Sequence, residues 1–308
     1  MNLKQLEYIV AIEKEGSLTR AAERLFITRP ALNHYLIGLE NELGMPLFKR
    51  TGRRLVPTLA GEAYLRAARE MLEIKKQTYK ELQDIAEDYK GVISIGLTTG
   101  IGNSMLRDVL PKFNRLYPHY SLKLLEGNIR TLEIAVKNGD IDIAVMGYGS
   151  VPTDLRHITT ISCEVVLVLP PDHPLGAVEA PRDEPHACLD LNELRDDYFV
   201  LMNTKTNIRA ISDKHFEAAG FQPKIKVECS RSSLAYHFVK EGIGPSILME
   251  YQIKPEDGVH VFSLSPREIW YQSIAYREGT RFSKAERCFI DLICRYFSET
   301  AVQNIFRL

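Results

Sequence analysis

The chain has 308 residues, with 39 Lys and Arg against 40 Asp and Glu, and its length suggests two or three domains at about 100–200 residues each. Hydrophobic residues at 45% and charged residues at 26% are ordinary for a globular protein and exclude disorder, collagen and a disulfide scaffold. Five cysteines at wide, irregular spacing (Cys163, Cys188, Cys229, Cys288 and Cys294) read as reduced thiols; with no membrane span and no signal peptide legible, the expected location is cytoplasmic.

The near-neutral net charge hides an asymmetry. Residues 1–60 hold nine Lys and Arg against six Asp and Glu, while the remainder holds 30 against 34. Basic density peaks at Lys49, Arg50, Arg53 and Arg54, four of six consecutive residues. A small basic head on a mildly acidic body suggests a polyanion partner for the head, although on charge alone a solvated surface loop is the better reading.

Leu3, Leu6, Ile9 and Ile12 recur at helical spacing and predict a first helix that Gly16 stops. Ser17 reads as the N-cap of a short second helix over residues 20–25, with the small pair Ala21–Ala22 turned inward. Thr28 is a second N-cap candidate, and Pro30 sits where a first helical turn tolerates it. A third helix is expected to bury Leu32, Leu36 and Leu39 and to end at Gly44. Two helices joined by a tight turn, the second opening on polar side chains, form a helix-turn-helix pattern. Thr28, Arg29, Pro30, Asn33 and His34 stand at the end of that helix that would meet base edges in the major groove. Arg favours guanine and Asn favours adenine by bidentate geometry. Leu55 and Val56 follow the basic run as a strand pair, predicting a β-wing from which Arg50, Arg53 and Arg54 reach phosphate or the minor groove. By periodicity alone a generic three-helix unit stays open.

Many fixed offsets agree at once here: Ala21-Ala22-Glu23-Arg24-Leu25, Thr28-Arg29-Pro30-Ala31-Leu32, Leu39-Glu40, Leu43-Gly44, Leu47-Phe48, Arg50, and Pro57-Thr58 with Ala60-Gly61. In these residues the chain closely resembles the LysR-type transcriptional regulators, and the resemblance runs on to the C-terminus. It implies an α/β fold class with an N-terminal all-α winged helix-turn-helix, a long linker helix, and a two-lobed periplasmic-binding-protein-like effector domain. It implies double-stranded DNA, a small-molecule effector, a homodimer or homotetramer and RNA polymerase as partners, with no membrane. Thr28-Arg29 stands where the family has Ser-Gln, Asn33 where it often has Ser, and His34 where it has Arg or Gln, so no operator sequence carries over.

The domains expected are 1–58 for DNA binding, 59–90 for the linker helix and 91–308 for effector binding. Leu59, Ala63, Ala67, Met71, Ile74, Thr78, Leu82, Ile85 and Tyr89 form one apolar stripe on a charged helix, which predicts packing either on its own domain or on a second copy. Beyond Gly91, strands expected at 92–97, 121–126 and 141–146 alternate with helices at 103–117 and 131–137, which implies a parallel sheet. That first lobe is expected over about 91–163 plus 266–308, and the second over about 164–265, with strands at 165–169, 198–202 and 224–228 and helices at 207–219 and 233–240. The chain is expected to return near Ser265, through a strand at 270–276 and a closing helix at 284–297.

In open α/β sheets ligands sit beyond the carboxyl ends of the strands. Four loops there are rich in hydroxyl, amide or Gly: Thr98-Thr99-Gly100-Ile101-Gly102-Asn103, Gly127-Asn128, Asn203-Thr204-Lys205-Thr206-Asn207 and Ser230-Arg231-Ser232-Ser233. Each precedes a helix, whose free N–H groups suit a small anion, most naturally a carboxylate, with Lys205 and Arg231 adding charge. The resemblance places effector contacts in these loops, and the positions here are Thr99, Gly100, Asn128, Asn203 and Thr204. Taken singly, each Ser, Thr or Asn reads better as an ordinary helix cap, and only their convergence together with the resemblance points to a ligand site.

His186-x-Cys188-x-Asp190 is too sparse for a metal site, and no metal or cofactor is expected. Cys188 and Cys229 lie 41 residues apart, without the close pairing of redox-sensing relatives. P-loop, dinucleotide and nucleophile-elbow motifs are missing, so no enzyme is predicted. The competing reading is a cytoplasmic small-solute-binding protein or enzyme with a dispensable N-terminal extension. A steep salt dependence of operator affinity discriminates between the two.

Overall fold

The computed structural model describes residues 2–85, 90–98, 101–150, 154–177 and 185–305. The chain divides into two compact units, Met1–Asp88 and Tyr89–Leu308.

In the first unit, helix α1 (Leu3–Glu15) opens with a reciprocal cap. The Asn2 side chain accepts from the Gln5 N–H, and the Gln5 side chain accepts from the Asn2 N–H. Gly16 ends it at φ 57°, a left-handed conformation suited to glycine. Helix α2 (Leu18–Arg24) is capped by Ser17, and α3 (Arg29–Leu43) by Thr28. Ala21 and Ala22, both buried, let these helices cross closely over Ile12, Leu32 and Leu36. Strands β1 (Phe48–Thr51) and β2 (Arg54–Pro57) form an antiparallel hairpin turned at Gly52-Arg53, with Gly52 at φ 62°. The Glu40 carboxylate accepts from the N–H groups of Leu47 and Phe48 and so ties α3 to this wing.

Helix α4 (Leu59–Ile85) uses two faces. Leu65 and Ala68 are fully buried, and ion pairs Arg69–Glu13 (2.8 Å) and Lys75–Glu7 (2.9 Å) link α4 to α1. The stripe singled out in the sequence lies elsewhere on the helix, where Leu59 is 86% and Ile74 64% exposed. The own-domain packing therefore exists, but on a face the sequence reading passed over. Ile85 and Tyr89 of that stripe have side chains outside the described residues.

The second unit runs β3 (Gly91–Thr98), α5 (Ile101–Leu116), β4 (Tyr120–Gly127), α6 (Ile129–Lys137), β5 (Ile143–Tyr148), β6 (Arg156–Leu169), β7 (Ala187–Cys188), β8 (Tyr198–Met202), α7 (Asn207–Ala218), β9 (Lys224–Cys229), α8 (Ser232–Lys240), β10 (Ser246–Met249), β11 (His260–Tyr276) and α9 (Lys284–Ile305). The main sheet has the order β10-β6-β11-β5-β3-β4, with β7 beside β11. The parallel pairing expected of the first three strands is present, while the sheet as a whole is mixed. Strands β4, β3 and β5 are parallel, but β11 is antiparallel to both β5 and β6, and β10 is antiparallel to β6. The cause is connectivity: β6 carries the chain out of one core and β11 brings it back, so the two must run oppositely. Strand β11 begins ten residues earlier than the strand start expected at Trp270, and its register with β6 shifts between Ser263 and Glu268. Strand β10 was not anticipated.

One core packs Ile93, Ile95, Val109 and Phe113 against Phe289 and Ile293 of α9. Another packs Leu167, Val168, Leu248 and Phe262 against Phe199 and Phe216, whose rings meet edge to face at 4.9 Å. Strands β8 and β9 form a separate parallel pair with α7 between them in sequence. Among the described residues no helix is long and apolar enough to cross a membrane.

Candidate functional site

The first candidate surface is the start of α3 with the wing. The Thr28 hydroxyl accepts from the Ala31 N–H at 3.3 Å, so its side chain serves as the helix cap. Arg29 and His34 are exposed, Pro30 occupies the first turn, and Asn33 is half-buried. Arg50 and Arg53 are exposed on the hairpin and make no ion pair with any described residue. Arg54, although exposed, turns back: its Nε lies 3.2 Å from where a Cβ on Gly16 would stand. The sequence reading grouped the three wing arginines; the structure separates Arg54 from the other two. It also passed over Phe26, 95% exposed at φ 55° in the turn ahead of α3, and Tyr35, edge-on to Tyr8 at 5.0 Å. A large exposed aromatic beside a helix cap was the available signal.

The second candidate is a cavity of about 760 Å3 in the second unit. It is built at the carboxyl ends of β3, β4 and β8, where each strand hands over to a helix. Thr98 comes from β3; Glu126 and Gly127 close β4; Asn128, Ile129 and Arg130 open α6. Met202 ends β8, and Asn203, Lys205, Thr206, Asn207 and Ile208 lead into α7. Ser230 and Ser232 flank the start of α8, and Gly147, Met249 and Trp270 complete the wall. Three helix N-termini thus face one space, each with unshared N–H groups and a partial positive charge. The Asn128 side chain accepts from the N–H of Thr131 (2.9 Å) and from its hydroxyl (3.0 Å), and the Thr206 hydroxyl caps α7 by accepting from the Arg209 N–H. The Asn203 side chain accepts from the Lys205 N–H at 3.1 Å and shapes that loop.

Of the sequence-predicted positions, Thr98, Asn128, Asn203 and Lys205 line the cavity; Thr204 and Arg231 are exposed and do not. Arg231 is the N-cap residue of α8, but its side chain makes no capping bond. Thr99 and Gly100 lie outside the described residues. Sequence reasoning missed Arg130, Met249 and Trp270. The buried indole of Trp270 lies over Gly147, where any Cβ would stand 2.2 Å from its Cζ2.

The sparse metal motif resolves differently: His186 Nε2 lies 2.8 Å from the Glu250 carboxylate, and this bond holds Glu250 below the usual carboxylate range. Among the described residues no group of three or more His, Cys, Asp or Glu side chains could hold a metal ion. All five thiols are free; burial pushes the Cys163 thiol up to about 12 and raises the Cys229 thiol as well.

Comparison with known proteins agrees with this geometry. Residues 3–62 match the model of the bacterial regulatory helix-turn-helix protein, lysR family, and residues 86–298 match the LysR substrate binding domain. The chain is 29% identical over 300 residues to an uncharacterized HTH-type transcriptional regulator YybE of Bacillus subtilis (strain 168), covering 97% of this chain and 100% of that protein. It is 28% identical over 309 residues to a probable RuBisCO transcriptional regulator of Synechocystis, covering 96% and 86%. A full-length OxyR variant from Pseudomonas aeruginosa shares the fold at a TM-score of 0.63 with 21% identity, covering 96% of this chain and 97% of that one. These are transcription regulators and not enzymes, which sets aside the reading of an enzyme with a dispensable extension. The chain belongs to the LysR family of transcriptional regulators, with an N-terminal DNA-binding helix-turn-helix and a substrate-binding-type effector domain.

Proposed function

We propose that the protein is a sequence-specific regulator switched by a small carboxylate bound in the cavity of its second unit. The observation that carries this reading is the convergence of three helix N-termini and Lys205 on one 760 Å3 space. Strands β6 and β11 carry the chain between the expected lobes, so closure about a ligand would act through them. A ligand that binds one closure state more tightly shifts the population toward it, and the change reaches DNA as altered spacing or bend.

On the DNA side we assign base reading to Arg29, Asn33 and His34, positioning to Thr28 and Pro30, and phosphate or minor-groove contact to Arg50 and Arg53. Arg54 is reassigned to support of the α1–wing junction, because its guanidinium lies against Gly16. The exposed stripe on α4 supports a homodimer or homotetramer, since a helix this long leaves an apolar face that a second copy would cover. RNA polymerase is the partner through which such a regulator acts.

The test is a thermal-shift panel on the full chain, with mono- and dicarboxylates against their neutral amides. A ligand at 100 times its Kd adds about 2.7 kcal/mol of stability. Carboxylates should raise the melting temperature where their amides do not, and Asn128→Ala combined with Lys205→Ala should remove the shift. A shift produced equally by the amides would overturn the anion assignment.

A further inference from the structure

Resting on the reading of this cavity as the effector site, we infer that its ligand is an amphipathic aromatic carboxylate, with the ring on the cavity floor and the carboxylate at the rim. The lining divides by exposure into an apolar and a charged set. Met202, Ile208, Met249 and Trp270 are each more than nine-tenths buried and apolar. Arg130 and Lys205 are exposed lining residues that form no ion pair with any described residue, and together they outweigh the exposed carboxylate of the lining, Glu126. A short hydrophilic acid such as succinate would satisfy the rim and leave the floor unfilled. The volume lies inside the roughly 300–1,000 Å3 range of pockets that enclose ligands with a substantial apolar body.

The floor also favours an aromatic body over an aliphatic one. Two methionines supply polarisable sulfur that packs well against a ring. The indole of Trp270 is 94% buried, and its Nε1 donor has no hydrogen-bond partner among the described residues. An aromatic body also gains from stacking or edge contact with an indole. Gly147 keeps the indole in place, since a side chain there would collide with it.

Trp270 is the single tryptophan of the chain, so a change in indole emission is assigned to this one lining residue. The full-length protein is titrated with 3-phenylpropionate, 3-phenylpropionamide and succinate, following binding heat and Trp270 emission together. The expected result is saturable binding of 3-phenylpropionate with a change in emission, at least tenfold tighter than either the amide or succinate. Arg130→Ala with Lys205→Ala should bring the acid and the amide within about threefold of each other. Succinate binding as tightly as the aryl acid, with an emission change, overturns the ligand class and leaves the cavity as the effector site. Binding heat without an emission change, indifferent to the rim substitutions, overturns the cavity reading itself. No binding of the aryl acid at millimolar concentration also overturns the class.

Discussion

The two units present polar side chains in opposite ways. In the first, the candidate DNA-reading residues lie within Thr28–His34 and the adjoining hairpin, on one short segment held by caps and a glycine turn. In the second, the candidate ligand residues come from positions as far apart as Thr98 and Trp270 and line a concavity. The difference has a physical origin. Groove reading needs a protruding helix end, which one short segment can make. Enclosing a small molecule needs walls on several sides, which only the meeting of several strand ends provides.

The strongest way to break this comparison is to strain each unit separately. A Cβ on Gly61 would stand 2.0 Å from the Leu47 carbonyl oxygen, and one on Gly244 1.9 Å from that of Tyr198. Both clashes are with backbone, so overpacking of about 1–3 kcal/mol is expected from each of Gly61→Ala and Gly244→Ala. In calorimetry Gly61→Ala should lower only the transition of the first unit, by about 4–8 °C per kcal/mol. Gly244→Ala should lower only that of the larger second unit, by about 2–4 °C per kcal/mol. One shared transition moved equally by both changes would show the two regions to be a single cooperative body.

Next in size is DNA binding. Each cation that neutralises a phosphate contributes about 0.9 to the slope of log affinity against log salt. Arg50→Ala with Arg53→Ala should therefore flatten the slope by about 1.8 in anisotropy titrations with a DNA duplex. Arg54→Ala should leave the slope unchanged and lower the stability of the first unit instead. An equal slope change from Arg54→Ala would return it to the group of phosphate-binding residues.

These two experiments bear on what the sequence could reveal. Caps were legible because their chemistry is local: Ser17, Thr28 and Asn128 each accept a hydrogen bond from an N–H three residues ahead. The stripe on α4 was legible because it is periodic, whereas the face carrying Leu65 and Ala68 was not, since its use depends on where α1 lies. Trp270 could be placed on a strand, but its position at the cavity depends on β11 running between β5 and β6, information held by pairing and not by local pattern. Arg231 and Thr204 fall outside the cavity lining for the converse reason: they sit in the loops that build it, and loop membership does not fix the side on which a residue emerges.

Smaller effects follow from the caps themselves. Thr28→Ala and Asn128→Ala each remove one helix cap, worth typically about 1 kcal/mol. Each should lower the transition of its own unit by a few degrees. Thr28→Ala should also weaken DNA binding without changing the salt slope, because the hydroxyl fixes the helix end and touches no phosphate. A changed slope in that variant would make Thr28 a phosphate ligand in its own right.

The subtlest difference between the units is their response to acid. Burial lowers the pKa of His157 below the usual 6.5 despite Asp154 nearby, and burial lowers that of His215 despite Glu268 at 3.7 Å. In the unfolded chain both imidazoles titrate near the ordinary value, so on acidification the unfolded state takes up protons first. Stability of the second unit is therefore full above 6.5 and falls as pH drops from there toward the depressed folded values. The one histidine of the first unit, His34, is exposed and offers no such buried site. Thermal unfolding followed from pH 7.5 to about 5.5 should show the second unit's transition declining more steeply than the first. His157→Phe keeps the edge-on packing against Tyr148 and cannot titrate, so with His215→Gln it should flatten that decline. A decline that persists in the double variant would locate the acid response in other groups, and one confined to the first unit would reverse the assignment of the pH-sensitive region.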